Sequence, residues 1–407
     1  MAFQLLFVIW RSRVTHPSYR RLIKSGKRLP KGAIFSDKIT PYPYIRARDI
    51  KAGRIYVDEL AFLTKEVQKR IAQYIVNTND VVITIVGASV GDVGFVTPEL
   101  NGFNLTENAV RLTGFSKCVN PRYLLYVLNS KKYWELMQQI AGGSAQPKLG
   151  IYKIESIPLE LPSIEKQNSI VELLSTYDNL IENNQKQIKL LEEAAQRLYK
   201  EWFVDLRFPG HEDVQIVDGV PDRWSEKSMD EIADYLNGYA FKPSDWGERG
   251  KPIIKIKELN EGVTKDTPRN SGDSIPKKYT IYSGDIVFSW SATLTAKIWD
   301  AEEGLLNQHL FKVTPNKGIC REYVLQSILK TLDEFSYLTT GSTMKHIQRG
   351  KLKQVFVKVP TQDIMNKFEV LADTYREQIL TLKHQLILIQ EARDRLLPKL
   401  MSGEIEL

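Results

Sequence analysis

The chain has 407 residues, 43% of them hydrophobic and 26% charged, with a formal net charge of +7 and a pI near 9.0. That length accommodates two or three domains with their own cores, and the basic balance permits nucleic-acid binding without demanding it. Two cysteines far apart, Cys118 and Cys320, with no CxxC and no histidine cluster, exclude a disulfide framework and a zinc site and are expected to be buried packing residues. The longest apolar run, around Leu5–Trp10, falls far short of the roughly 20 residues a bilayer requires, and no basic residue precedes it. Neither a membrane span nor a signal peptide is expected, so the protein is expected in the cytoplasm.

Residues 1 to about 27 carry Arg11, Arg13, Arg20, Arg21, Lys24 and Lys27, with no acidic residue before Asp37. From Ile34 to Pro162 the pattern is mixed α+β. Tyr42–Ile50 alternates like a strand, which puts Arg46 and Arg48 on one face. Thr64 to Ile75 reads as a helix, and Asn79-Asp80 as a turn before the buried strand Val81–Val86. Gly87, Gly91 and Gly94 then punctuate a hairpin, Pro121–Ile140 is helical, and Gly142-Gly143-Ser144 opens a loop towards a strand at Ile157–Leu161.

Next comes an apolar stripe: Ile170, Leu174, Tyr177, Ile181, Asn184, Ile188, Leu191, Ala195, Leu198 and Trp202. Steps alternating four and three give a period of 3.5, the seam of a coiled coil. Ser163 is placed to cap its first turn, Phe208-Pro209-Gly210 ends it, and residues such as Glu172, Asp178 and Lys186 form the solvated side.

The second half restates the first. Pro252–Leu259 answers Tyr44–Ile50, with Lys255 and Lys257 in the places of Arg46 and Arg48. Gly284–Trp290 answers Asn79–Ile85, Asn307–Val313 answers Thr106–Leu112, and Arg321–Leu329 answers the helix at Arg122. The loop Gly341–His346 answers Gly143–Lys148. Pro360-Thr361 repeats the helix start, and the seam returns as Phe368, Ala372, Tyr375, Ile379, Leu382, Leu386, Ile389, Arg393 and Leu396. The order is therefore domain, helix, domain, helix, with limits at 1–162, 163–208, 209–360 and 361–407. A second helix that starts where the second domain ends must run back to lie along the first. The expected fold is α+β: two tandem domains, each followed by a long helix, with the helices in an intramolecular antiparallel coiled coil of pseudo-two-fold symmetry. The seam from Ile170 to Leu198 is about 42 Å long at 1.5 Å per residue, slightly more than the roughly 34–36 Å of one duplex turn.

No catalytic motif is found. Gly87–Gly91 lacks the lysine of a phosphate-binding loop, and no H-E-x-x-H, G-x-S-x-G or Asn-Pro-Pro-aromatic tetrapeptide occurs. Asp80 and Asp285 are expected to serve their turns through local backbone bonds. Binding chemistry is better represented. Arg46 with Arg48, and Lys255 with Lys257, could straddle phosphates from one strand face. Ser144, Gln146 and Lys148, and their counterparts Ser342, Lys345 and His346, offer loop groups that read base edges or phosphates. Ser89, Ser291, Thr293 and Lys297 are weaker candidates at hairpin tips. Each of these also reads as ordinary surface. His309 is expected to be polar surface or a DNA contact.

This tandem of α+β domains with matched helices resembles the specificity subunit of Type I restriction-modification enzymes. Gly238-Tyr239-Ala240-Phe241-Lys242 before Pro252–Ile256 is similar to the opening of that family's target-recognition domains. Ile157–Pro162 followed by Ile164-Glu165-Lys166-Gln167 resembles its passage into the conserved helix, and Leu396–Ile405 resembles its ending. The likeness spans roughly residues 23 to 407. The first domain departs from the pattern: where the family opens with a Trp-led strand like Trp224–Phe241, the matching points here are Trp10 and Gly26 with a basic stretch between them.

The resemblance implies a subunit without an active site that reads a bipartite double-stranded DNA target, one half per domain, with the helix pair fixing the unread spacer. It implies two methyltransferase subunits, which bind S-adenosylmethionine themselves, and two motor-nuclease subunits. Subunit and coiled-coil contacts are expected at Tyr177, Ile181, Asn184, Ile188, Leu191, Trp202, Phe203, Tyr375, Ile379, Leu382, Leu386 and Ile389. Two other readings stay open: a fragment of a fused restriction-methylase, which would need a motif not found, and an adaptor whose helices pair between molecules.

Overall fold

The computed structural model describes residues 22–142, 147–159, 161–291, 293–337 and 349–407. The chain divides into two compact units, residues 1–181 with 388–407, and residues 182–387.

In the first unit, strands β1 (Ile23–Ser25), β2 (Pro43–Ile45) and β3 (Ala61–Phe62) precede helix α1 (Lys65–Arg70). Strands β4 (Val81–Thr84), β5 (Val93–Phe95), β6 (Asn104–Leu105) and β7 (Ala109–Leu112) follow, then helices α2 (Pro121–Asn129) and α3 (Lys131–Ala141). Four strands form an antiparallel sheet in the order β1-β7-β4-β5. A smaller sheet, β3-β2-β6, pairs β2 with β6 in parallel. Every residue of β4 and β7 is buried, as near-continuous apolar strands require.

The long central helix α4 spans Ile164–Tyr199. Ser163 caps it as expected: its hydroxyl accepts the Lys166 N–H at 3.4 Å and its carbonyl the Gln167 N–H at 3.0 Å. The helix ends in a π turn, Lys200–Val204, in which the Asp205 N–H reaches back to the Lys200 carbonyl.

The second unit has strands β8 (Ala233–Asn237) and β9 (Lys251–Ile254), helix α5 (Ile256–Glu261), and strands β10 (Arg269–Asn270) and β11 (Thr280–Ile281). Next are β12 (Ile286–Ser289), β13 (Thr295–Ile298), β14 (Gly304–Leu306) and β15 (Leu310–Pro315), then α6 (Arg321–Lys330), strand β16 (Phe356–Val359) and the C-terminal helix α7 (Gln362–Ser402). Its sheets run β8-β15-β12-β13, all antiparallel, and β10-β9-β14-β11, with β9 parallel to β14. The four-stranded antiparallel sheet repeats that of the first unit strand for strand, whereas β10-β9-β14-β11 has one strand more than β3-β2-β6. The internal repeat read from the sequence is thus a repeat of topology.

The helices pair within the chain, and antiparallel. In the first unit Ile170 and Leu174 share a core with Leu400, Leu396 and Leu397, while Asp178, further along α4, meets Arg393, further back along α7, at 3.1 Å. In the second unit Asn184 reaches Gln385 at 3.4 Å and Tyr199 packs on Phe368, rings 6.4 Å apart. As numbers rise on one helix they fall on the other. Every residue of the α4 seam is buried or half-buried. The chain's own second helix lies along it, with an open cleft of about 490 Å³ between Leu191 and Leu382, so an intermolecular adaptor is not needed to supply a partner helix. Seam residue Asn184 faces its own chain's second helix.

Several expectations change. Tyr42–Ile50 and Pro252–Leu259 are not single strands; each is a short strand running into a helical turn. The Pro121–Ile140 helix breaks at Ser130, whose extended backbone makes it both the C-cap of α2 and the N-cap of α3. Ile157–Leu161 is not a strand over its described residues; a short helix, Ile151–Glu155, precedes it instead. Its counterpart β16 is a strand because Ser225–Ser228 pairs with it. Cys118 is exposed rather than buried, whereas Cys320 is buried and its sulfur accepts the Tyr323 N–H at the start of α6. Asp178 does not lie on a solvated face. Its carboxylate takes the Tyr126 hydroxyl at 2.6 Å as well as Arg393. Trp202 and Phe203 belong to the core of the second unit, with Phe203 packed edge-on against Phe368 and Tyr323 at 4.8 and 4.9 Å. Burying Phe203 contributes roughly 1.5–3 kcal/mol, so neither side chain is available to a partner subunit.

Candidate nucleic-acid interface

The paired cations do not share a strand face. Arg46 stands just ahead of a helical turn, Ala47–Asp49, and grips the buried Asp49 with two bonds of 3.0 and 2.9 Å while also donating to the Glu59 carbonyl. Asp49 in turn accepts the Arg46 backbone N–H at 2.8 Å. Lys255 is the cap of α5, and buried Glu258 accepts its N–H at 3.2 Å. Arg46 and Lys255 therefore hold the same place, where a strand becomes a helix and a carboxylate three residues on accepts the backbone N–H. Arg48, 64% exposed, and Lys257, exposed on α5, remain outward-facing cations. Lys255 holds its ammonium 3.9 Å over the Trp246 ring.

Ser89 lies at the β4–β5 hairpin tip as expected, and Lys148 is exposed beside Val86, which it bridges. Thr293 is exposed, but Ser291 is buried and cannot touch a duplex. Lys297 is on strand β13, not at the tip, and its ammonium reaches the Leu259 carbonyl at 3.4 Å. Ser144, Gln146, Ser342, Lys345 and His346 lie outside the described residues. Of the helix positions, Ile181 and Asn184 are buried; Tyr177, Ile188, Leu191, Tyr375, Ile379, Leu382, Leu386 and Ile389 are half-buried along the seam.

The frame that carries these groups is built the same way twice. Asp80 accepts the Asn77 N–H at 2.8 Å, and Asp285 the Tyr282 N–H at 2.8 Å, the turn role read from the sequence. Each also binds a cation from the neighbouring strand, Arg111 on β7 at 2.7 Å and Lys312 on β15 at 2.6 Å. These partners were missed. A cation recurring at the same place in two otherwise apolar strands was the available signal.

A second shared feature is glycine. Gly26 and Gly238 donate to the Ala109 and Leu310 carbonyls at 3.1 and 3.0 Å. A Cβ at either would sit 2.0 or 2.2 Å from a backbone oxygen, so no other residue fits. Gly26 is thus the true counterpart of Gly238, while Trp10 lies outside the described residues.

Beside Gly26 an open cleft of about 480 Å³ is lined by Ser25, Arg28, Glu107, Asn108 and Lys148, among others. Arg28 donates to Glu107 at 2.8 Å. Burial pushes the Glu107 carboxyl up, but Arg28 and the Thr106 hydroxyl outweigh it and hold the group below the usual carboxylate range. The cleft therefore offers an ionised acceptor next to a fixed guanidinium. In the second unit the corresponding turn carries Gln308 and His309, with the His309 ring 5.9 Å from that of Trp290, whose indole N–H donates to Asn237 at 3.0 Å. Among the described residues no cluster of three or more His, Cys, Asp or Glu could hold a metal ion, and no helix is long and apolar enough to cross a membrane.

The family model of the Type I restriction modification DNA specificity domain matches the chain twice, over residues 22–193 and 221–385. The chain is 28% identical over 302 residues to the Type I restriction enzyme MjaIX specificity subunit of Methanocaldococcus jannaschii, covering 70% of this chain and 68% of that one. With the MjaVIII specificity subunit of the same organism it shares 22% over 380 residues, covering 89% and 86%. The solved Type I restriction-modification S subunit from M. genitalium shares its fold at a TM-score of 0.53 and 16% identity, over 93% of this chain and 92% of that one. With two matched domains on one repeated frame and two helices paired within the chain, this protein belongs to the Type I restriction-modification DNA specificity family, whose members are sequence-specific, non-catalytic DNA-recognition subunits.

Proposed function

We propose that each repeat reads one half of a bipartite double-stranded DNA target, that the antiparallel helix pair sets the unread spacer, and that the exposed sides of the helices bind two methyltransferase subunits. Members of this family work with DNA and with methyltransferase and restriction subunits; two motor-nuclease subunits complete the assembly, and S-adenosylmethionine is held by the methyltransferase partners. The recognition domains are residues 1–162 and 209–360, the conserved helices 163–208 and 361–407, and the complex works in the cytoplasm. Arg48, Ser89, Lys148, Lys257, Thr293 and Lys297 supply outward polar and cationic groups for phosphates and base edges.

One observation carries this reading: the same strand order, glycine contact and aspartate turn occur twice, ahead of helices that pair with each other. Two copies of one reading frame call for two half-sites. The test is to map modified bases in cells that express the methyltransferase subunit with and without this chain. Adenine methylation at a two-part sequence should appear only when the chain is present. An unchanged methylation map with both proteins expressed would overturn the proposal.

A further inference from the structure

The turn that joins the parallel strand to the central strand is the same in both units. The Thr106 N–H donates to the Ile45 carbonyl at 3.0 Å, and that of Asn307 to Ile254 at 3.0 Å. The Ala109 N–H closes on the Thr106 carbonyl at 3.2 Å, and that of Leu310 on Asn307 at 3.0 Å. The side chains of Thr106 and Asn307, both buried, each accept an N–H from two residues on, Asn108 and His309, at 3.3 Å. The preceding residues are clamped alike, with Lys27 N–H on the Leu105 carbonyl and Tyr239 N–H on Leu306, both at 2.8 Å. These bonds recur. Among the described residues, the Gln308 N–H on the Tyr239 carbonyl at 2.9 Å is found in the second unit alone, and the Ile85 N–H on the Asn108 carbonyl at 2.7 Å in the first alone.

The two residues at the tip of the turn do not recur. They are Glu107-Asn108 in the first unit and Gln308-His309 in the second. Their surroundings diverge as well: Arg28 stands where the second unit has Ala240, and Ile85 where it has Trp290. None of these side chains supplies a backbone bond that both turns need. On a frame kept constant by its own hydrogen bonds, the positions that vary are free to carry what differs between the copies.

We propose that these two tips, with Arg28 in the first unit, are the base-reading elements that make the half-sites different. The proposal rests on the bipartite reading above and assigns its specificity to named residues. A carboxylate braced against a guanidinium suits a G·C pair, since arginine donates to guanine O6 and N7 and a carboxylate accepts from cytosine N4. Arg28 is 79% exposed, so its free N–H groups can reach a base edge while Glu107 fixes its orientation. Gln308 presents a donor and acceptor that match adenine N6 and N7. The exposed Lys24, Lys27 and Lys31 lie within four residues of Arg28 along the chain and would meet phosphates nearby.

The experiment exchanges the tips in the full chain, assembled with its methyltransferase subunits, and sequences the methylated sites. In the double variant Glu107→Gln with Asn108→His, preference for the original bases should fall about 10- to 100-fold at one or two positions of a single half-site. The other half-site and the spacer should stay as they were. The reciprocal Gln308→Glu with His309→Asn should change the opposite half alone. Should a double variant fail to fold, Glu107→Gln alone, isosteric and outside the backbone bonds of the turn, carries the same prediction. Unchanged half-sites, or a uniform loss of methylation at all sequences by a folded variant, would overturn the assignment. If the unaltered chain directs no two-part methylation, the proposed function fails instead, so the two failures are distinguishable.

Discussion

Removing the cation from each aspartate turn should separate two environments that look alike in sequence. In Arg111→Ala, Asp80 is left almost fully enclosed, since the two side chains are only 7% and 3% exposed. An uncompensated buried charge costs about 3–5 kcal/mol. In Lys312→Ala the abandoned Asp285 is 25% exposed, so water screens it and the cost is about 1 kcal/mol. For units of this size those figures correspond to melting shifts of roughly 6–20 °C and 2–4 °C. Calorimetry on the full chain gives the shifts, and amide hydrogen exchange in β7 and β15 assigns each to its unit. Asp80→Asn combined with Arg111→Met should recover most of the loss, because it removes both charges together. Equal shifts for the two alanine variants, or a larger one for Lys312→Ala, would refute the argument that burial decides the cost.

Two further outcomes follow from the same geometry. Gly238→Ala places a carbon 2.2 Å from the Asn307 carbonyl, and forcing the strands apart should cost about 1–3 kcal/mol; a melting curve like that of the unaltered chain would show the close approach to be dispensable. Asn184→Leu should raise the melting temperature, because an apolar side chain replaces a buried amide on the seam whose partner, Gln385, is exposed and can bond to water. A fall in melting temperature would mean the amide stabilises the pair rather than only setting its register.

The architecture was legible because its signals are long or repeated. The seam of α4 shows a 3.5-residue period over nine steps, and the second copy confirmed turns that one copy would have left ambiguous. What misled was local. Arg46 and Arg48 alternate like strand residues, but the chain turns helical there because buried Asp49 and Glu258 close back on the N–H groups three residues earlier, a local cap that the alternation masked. Asp178 looked solvated by its heptad position; only the fold brings Tyr126 and Arg393 to it. Trp202 and Phe203 looked like a docking site because large aromatics at a helix end suit one. The π turn instead rolls them into the core of their own unit. Of the proposed reading surface, the cations could be found by type. The tips Glu107-Asn108 and Gln308-His309 emerge only when the constant turn beneath them is seen.

The most direct measurement replaces residues 209–360 with a second copy of residues 1–162, and maps the adenines methylated when this chimera is co-expressed with the methyltransferase subunit. If each repeat reads its own half-site, the two halves of the methylated sequence become copies of one another, both matching the half that the first repeat reads in the natural chain. A chimera that folds, methylates DNA and still selects two unlike halves would contradict the account.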